Sequence, residues 1–154
     1  MRSLRQVAPL VSIVTAVGCA SVPTHEPAPA SEITFDLAVS PTRAREQLTA
    51  AFAANGLPVA TSQPGVVEYH APRERGVLGY YEVFARAVIV PVDCGTRVTM
   101  FGEETRYANP TASAGTSSRI GPSSTGRARE VWTRLQMVAS DVRGGTTTHA
   151  STER

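Results

Sequence analysis

The sequence predicts an α+β domain: an antiparallel sheet of about four to five strands with two helices on one face, in the order β-α-β-β-β-β-α. Three observations predict it. Apolar residues alternate along several segments bounded by turn residues, as in strands that bury one face. Two longer segments repeat their apolar residues every three to four positions, as amphipathic helices do. The chain of 154 residues also has room for one such domain but not two.

The first strand and the first helix follow each other directly. Residues 32–39 alternate apolar and polar side chains, which predicts a half-buried strand. Ser40 and Pro41 then begin a helix, because serine caps a helix N-terminus and proline is favoured at the first helical position. Asn55-Gly56 ends the helix, with glycine in the left-handed conformation. One apolar stripe is predicted to face the core: Ala44, Leu48, Ala51 and Phe52.

Four strands are predicted after this helix, separated by turn-forming residues: residues 57–61, 66–70, 80–92 and 97–107. Residues 80–92 carry apolar side chains on both faces, which is typical of a central strand. Residues 71–76 are polar and contain a proline, so they are predicted to form a loop.

The domain is predicted to span residues 32–143. Residues 108–126 contain Ser, Thr, Gly, Ala and Pro but little apolar content, which predicts a mobile loop. A second helix begins near Arg127 and ends at Gly144-Gly145, so residues 144–154 are predicted to be a disordered tail. The apolar stripe of this helix is expected to be core: Ala128, Val131, Trp132, Leu135, Val138, Ala139 and Val142.

Residues 1–18 read as an export signal. Arg2 and Arg5 precede an apolar run that is too short to span a bilayer. The quartet Ala16-Val17-Gly18-Cys19 resembles the lipobox of bacterial lipoproteins, although that family prefers Leu at the position of Ala16. This resemblance implies that Cys19 is acylated and becomes the first residue of the mature chain.

The Pro- and Ala-rich residues 19–31 favour this interpretation, because a lipoprotein needs a spacer that holds its domain off the lipid surface. By the same resemblance, Ala20 in place of Asp after the cysteine implies sorting to the outer membrane, on its periplasmic side. Several acyl chains together give stable anchoring, since each buried methylene contributes about 0.8 kcal/mol.

An ordinary secretory signal is the alternative, because Ala16-Val17-Gly18 also fits the small-x-small rule for cleavage. The product would be a soluble exported protein, in which a Cys19–Cys94 disulfide is possible. If Cys19 is acylated instead, the chain offers Cys94 no second cysteine, and Cys94 becomes a possible redox thiol. The two hypotheses therefore predict different states for Cys94.

The composition and the absence of known motifs argue against several classes of function. The precursor has 15 Arg, no Lys and 13 acidic residues, and removing Arg2 and Arg5 leaves these charges balanced. A neutral mature protein argues against nucleic acid as a partner. We find no metal-ligand spacing, no cofactor fingerprint and no catalytic constellation, and the lone domain histidine, His70, is expected to be structural or superficial. Arg73, Arg75 and the Tyr80-Tyr81 pair are expected to be a solvated loop and strand rather than an anion or glycan site.

These observations predict a non-enzymatic binding or accessory module, tethered to a membrane through Cys19 and bound to another envelope protein. The alternative is a soluble exported ligand-binding protein or small hydrolase. Over residues 32–107 the order of elements resembles the small helix-on-sheet domains of envelope lipoproteins, such as the accessory lipoproteins of the outer-membrane β-barrel assembly machinery. That resemblance implies a similar fold and a role in binding.

Overall fold

The structure is a computed structural model that describes residues 31–149. Its elements are, in order, β1 (Glu32–Leu37), α1 (Pro41–Ala54), β2 (Val59–Gln63), β3 (Val66–His70), β4 (Glu74–Gly76), β5 (Gly79–Val92), β6 (Gly95–Tyr107), β7 (Thr116–Arg119) and α2 (Gly126–His149). The α+β class is confirmed, but the sheet has seven strands instead of four to five. The predicted signal peptide, Cys19 and the spacer as far as residue 30 lie outside the described residues, as do residues 150–154.

All strand pairs are antiparallel. The sheet order is β1-β6-β5-β3-β2, so β5 is a central strand, as predicted. β5 and β6 form one long hairpin, in which Tyr80 is paired with Tyr107 at one end and Val92 with Gly95 at the other. The short strands lengthen the two sides of this hairpin, because β4 pairs with β5 and β7 pairs with β6.

The two helices cover one face of the sheet, which is called the inner face below. The predicted stripes of α1 and α2 are buried, and they form a single core with the inward side chains of the strands. Val67, Ala87 and Met100 lie side by side in this layer, because Val67 pairs with Ala87 and Ala87 with Met100. Ser40 caps α1 as predicted, since its hydroxyl accepts a hydrogen bond from the Arg43 amide at 3.3 Å.

Two strands lie where loops were predicted. β4 falls within the predicted loop 71–76, and β7 falls within residues 108–126, which were predicted to be a mobile loop. All four residues of β7 are exposed, so no apolar alternation marks it, and its strand character comes from pairing with β6. Ile120 follows β7 directly, is only 1% exposed and donates its amide to the Gly102 carbonyl at 3.0 Å. The prediction of a mobile loop over residues 108–126 is therefore wrong for the C-terminal half of this segment.

The second helix also extends further than expected. α2 continues through Gly144 and Gly145 to His149, whereas these glycines were predicted to end it. Glycine ends a helix where its backbone turns left-handed, as Gly56 does at φ 70°. Neither Gly144 nor Gly145 has a positive φ, so each remains in the helix at a cost of about 1 kcal/mol. None of the helices in the described part of the chain has the length and apolar content needed to cross a membrane.

Candidate binding surface

The face of the sheet opposite the helices carries most of the charged and aromatic side chains of the long strands. Side chains alternate across a strand, so residues that follow the core positions by one point to this open face. Its centre is a group of half-buried or exposed side chains around one buried ring: Glu68, Phe84, Arg86, Phe101, Glu103 and Arg119. We call this group and its neighbours on the same side of the sheet the open face.

Three arginines of the open face, Arg86, Arg97 and Arg119, each have a carboxylate partner on a neighbouring strand. Arg86 on β5 bonds Glu68 on β3 through its Nε atom. Arg97 on β6 holds Asp36 on β1 with two hydrogen bonds of 2.8 and 2.9 Å. The hydrogen bonds from the Arg97 guanidinium lower the pKa of the Asp36 carboxyl. These cross-strand pairs leave the open face with little net charge.

The central ring of the open face is covered by a cation instead of by apolar side chains. Phe101 is only 9% exposed although it points away from the helices, and it does not belong to the main core. The guanidinium of Arg119, at the end of β7, lies 3.6 Å from the centre of the Phe101 ring. Arg119 also pairs with Glu103 at 3.3 Å and with Glu32 at 3.7 Å. The strand that sequence reasoning missed therefore supplies the cover of this ring.

His70 lies at the edge of the same surface. Its ring stacks on Phe84 with centroids 5.7 Å apart, and its Nε2 atom is 3.8 Å from Glu68. The sequence-based expectation of a structural or superficial histidine agrees with this exposed, stacked position.

A second polar cluster joins β5 to the segment after β6. Arg73 donates to Glu82 at 3.1 Å and to the carbonyls of Pro110 at 2.7 Å and Ala112 at 3.0 Å, and it stacks on the Tyr107 ring at 3.6 Å. The Tyr107 hydroxyl donates to Glu82 at 2.7 Å. This bond, followed by the contact with Arg73, lowers the pKa of the Glu82 carboxyl. Arg73 was expected to be solvated, but it instead fixes the start of residues 108–126.

The β4–β5 turn carries two exposed aliphatic side chains, Val77 and Leu78, which we call the hairpin tip. Val77 is 101% exposed and Leu78 is 94% exposed. Beside them lies a cleft of about 360 Å³ whose walls include Tyr80, Tyr81 and Arg106. Sequence reasoning assigned no role to this dipeptide, although two adjacent aliphatic residues between Gly76 and Gly79 were a readable signal.

The acidic, His and Cys side chains of the described residues are dispersed over the sheet and the helices. No group of three or more His, Cys, Asp or Glu side chains there could hold a metal ion. The carboxylates of Asp36, Glu68 and Glu82, on three different strands, do not converge on one site. They instead bond different arginines, and Glu82 lies four residues along β5 from the partner of Glu68, about 13 Å away.

Of the two cysteines, the structure describes only Cys94. Cys94 is exposed in the β5–β6 turn, and it is disulfide-bonded. Cys19, the predicted lipidation site, lies outside the described residues. Trp132, which was interpreted as core, is buried at 4% exposure.

No protein-family model matches the chain, and it matches no curated protein. Among solved structures, it is similar to a DUF4468 family protein from Bacteroides ovatus ATCC 8483. The identity is 9%, the match covers 75% of this chain and 84% of that chain, and the TM-score is 0.35.

Proposed function

We propose that this protein is a bacterial envelope lipoprotein, anchored in the membrane through acylated Cys19, that acts as a non-enzymatic binding module. The tether is supported by the lipobox-like quartet ending at Cys19 and by the Pro- and Ala-rich spacer that follows it. The binding role rests on one observation: an uncovered sheet face that combines aromatic rings with paired arginines. Ala20 favours the outer membrane, with the domain facing the periplasm.

The partner that best fits the open face is another envelope protein. Protein interfaces are enriched in aromatic residues and arginine, and buried anchors of these types contribute most of the binding energy. Nucleic acid fits poorly, because its phosphates require unpaired cations and Arg86, Arg97 and Arg119 are already paired with carboxylates. A partner that binds this face would contact Phe84 and Arg119, whose guanidinium covers Phe101.

The tether is tested by the intact mass of the mature protein purified from a bacterial host, with and without reductant. A lipid-sized addition on Cys19, lost in Cys19→Ser together with membrane association, is the expected result. A Cys19→Ser chain that still fractionates with membranes would contradict the tether.

The binding surface is tested by photo-crosslinking in intact cells. We expect a cross-linker at position 84 to give one discrete adduct with an envelope protein. The same group at position 137 is the matched control, because Met137 is 51% exposed on the helical side. Equal labelling from both positions would show that the open face is not the interface.

A soluble exported ligand-binding protein or small hydrolase is the second candidate. The observation that favours it is the disulfide bond of Cys94, since a Cys19–Cys94 bond would consume the sulfur atom that acylation requires. It predicts a mature chain without lipid whose mass rises by two hydrogens on reduction. The two candidates therefore separate in the same mass measurement.

A further inference from the structure

The hairpin tip contains residues that neither its turn nor the core requires. Val77 and Leu78 form a two-residue connection between Gly76 and Gly79, which are paired with each other. Such connections favour Asn, Asp and Gly, because these residues adopt positive φ angles or bond their own backbone. Neither Val77 nor Leu78 has a positive φ, and both are almost fully exposed. Two adjacent, exposed aliphatic side chains in a hairpin turn therefore indicate an apolar partner.

The residues around the tip suit a membrane interface. Tyr80 is half-buried beside the tip, and the Tyr81 hydroxyl donates to Glu74 at 3.0 Å. Tyrosine rings favour the boundary between lipid headgroups and acyl chains. Arg75 and Arg106 are exposed on either side of the hairpin, where long cationic side chains can extend to the headgroups while their stems remain on apolar surface.

We propose that the hairpin tip inserts into the interface of the lipid bilayer to which the chain is tethered. This inference rests on the proposed anchoring at Cys19 and specifies how the domain is oriented on that membrane. The tip then gives the domain a second, weak contact with lipid, in addition to the anchor at Cys19.

The direction of β1 places the tether and the tip at the same end of the sheet. β1 starts opposite Phe101 and runs toward the Gly95 end of β6, so the N-terminal end of β1 points toward the Tyr107 end of the hairpin. The hairpin tip extends beyond that same end, because Tyr80 is paired with Tyr107. From the level of Phe101 to that of Tyr107 is about 20 Å along the strand.

The spacer is long enough for both contacts to occur together. About a dozen residues connect Cys19 to Glu32, and an extended chain spans at most about 3.3–3.6 Å per residue, which gives a reach of roughly 40 Å. A lipid anchor on Cys19 and the tip at Val77 and Leu78 can therefore touch one bilayer. With both in contact, the sheet stands on its end and the open face remains accessible to a partner in the periplasm.

Fluorescence quenching by brominated lipids tests this proposal on the full, lipidated chain. The protein has one tryptophan, Trp132, which is 4% exposed in the core and supplies a constant background. Leu78→Trp places a second tryptophan at the tip, and Met137→Trp places one on an exposed site of α2 as the matched control. Both variants would be reconstituted into vesicles of phosphatidylethanolamine and phosphatidylglycerol with bromine on the upper acyl chain.

We expect the tryptophan of the Leu78→Trp variant to be quenched at least about twice as strongly as that of the Met137→Trp variant, because interfacial groups lie about 5–10 Å inside the headgroup boundary. The emission maximum of Leu78→Trp should also shift to the blue in vesicles without bromine. Equal quenching of the two variants in a protein that co-floats with vesicles overturns tip insertion, leaves the tether standing and indicates that the tip meets a protein partner or solvent. If the native chain does not co-float with vesicles, the proposed lipid anchor at Cys19 is wrong. The argument that the anchor and the hairpin tip contact the same bilayer then fails with it.

Discussion

Val83, Ala85 and Ala87 point from β5 into the core, whereas Glu82, Phe84 and Arg86 point from the same strand to the open face. The first set is buried among the apolar residues of the two helices. The second set is held by ion pairs and by contacts between cations and rings. One strand thus contributes to stability on one side and presents a recognisable surface on the other. Substitutions on the two faces should therefore differ in how much they lower the free energy of unfolding and in how that loss depends on pH.

The largest difference should appear when a side chain is truncated on each face. Met100 is fully buried on the inner face, and Met100→Ala should lower the free energy of unfolding by about 2–5 kcal/mol because it leaves a cavity. Val88→Ala on the open face should lower it by less than about 1 kcal/mol, since Val88 is half-buried. Urea denaturation monitored by Trp132 fluorescence measures both. Equal losses would mean that the open face is covered in solution.

The inner face is the part of the molecule that the sequence predicts best. Its residues follow the periods of two and 3.6 that burial imposes on strands and helices, which is why β5, β6, α1 and the stripe of α2 were all found. The open face has no such constraint. The pairing of Arg86 with Glu68, and of Arg97 with Asp36, depends on which strands are neighbours, and that order is a property of the whole sheet.

β4 and β7 were missed for a related reason. β7 has the sequence Thr-Ser-Ser-Arg, and its position is fixed by backbone hydrogen bonds to β6 and by one apolar residue after it, Ile120. A single buried isoleucine in a stretch of Ser, Thr and Gly does not form a pattern. The stacking of Arg119 on Phe101 could not be predicted once this strand had been interpreted as a loop.

Truncating Ile120 should therefore lower stability as much as truncating a core residue does, although Ile120 lies in a polar segment. Ile120 is 1% exposed and lies over Gly102, where an added Cβ atom would overlap the Cδ1 atom of Ile120. We expect Ile120→Ala to cost about 2–4 kcal/mol of stability and to expose the amides of β7 to hydrogen exchange.

The contact between Gly102 and Ile120 allows a double-mutant control. Gly102→Ala alone should destabilise by about 1–3 kcal/mol through overcrowding. The double variant Gly102→Ala/Ile120→Ala should lose less than the sum of the single losses, because the shorter side chain makes room for the new methyl group. Strict additivity would show that Ile120 does not pack on Gly102, and a cost near zero for Ile120→Ala would mean that residues 108–126 behave as the predicted mobile loop.

On the open face, replacing Arg119 should have a smaller effect. Arg119→Ala uncovers Phe101 and removes the pairing with Glu103, so we expect a loss of about 0.5–1.5 kcal/mol. Arg119→Lys is the matched control, because lysine keeps the charge but not the planar group that stacks on the ring. If the two variants are equally destabilised, the planar stacking and not the charge covers Phe101. Thermal unfolding at two salt concentrations separates these contributions, since salt screens exposed ion pairs.

The smallest expected effect is a difference between the two faces in how stability depends on pH. The Tyr107 hydroxyl, and then Arg73, lower the pKa of Glu82 in the folded protein below its usual range. A carboxyl with a lowered folded pKa stabilises the protein above its unfolded pKa, and this contribution is lost as the pH falls through the folded value. Since the Glu82 side chain is 35% exposed, solvent screening should limit the contribution to under about 1 kcal/mol.

Removing the hydroxyl group tests this origin without changing any formal charge near neutral pH. We expect Tyr107→Phe to raise the pKa of Glu82 toward its ordinary range, measured from the NMR titration of its side-chain carboxyl carbon. As the pH falls through the acidic range in which Glu82 titrates, the stability of Tyr107→Phe should then change less steeply than that of the parent, while Met100→Ala should shift the whole pH profile uniformly. An unchanged Glu82 titration in Tyr107→Phe would assign the lowered pKa to Arg73 instead. The open face would then titrate through its ion pairs alone, and the hydroxyl group would serve only to hold Tyr107 in place.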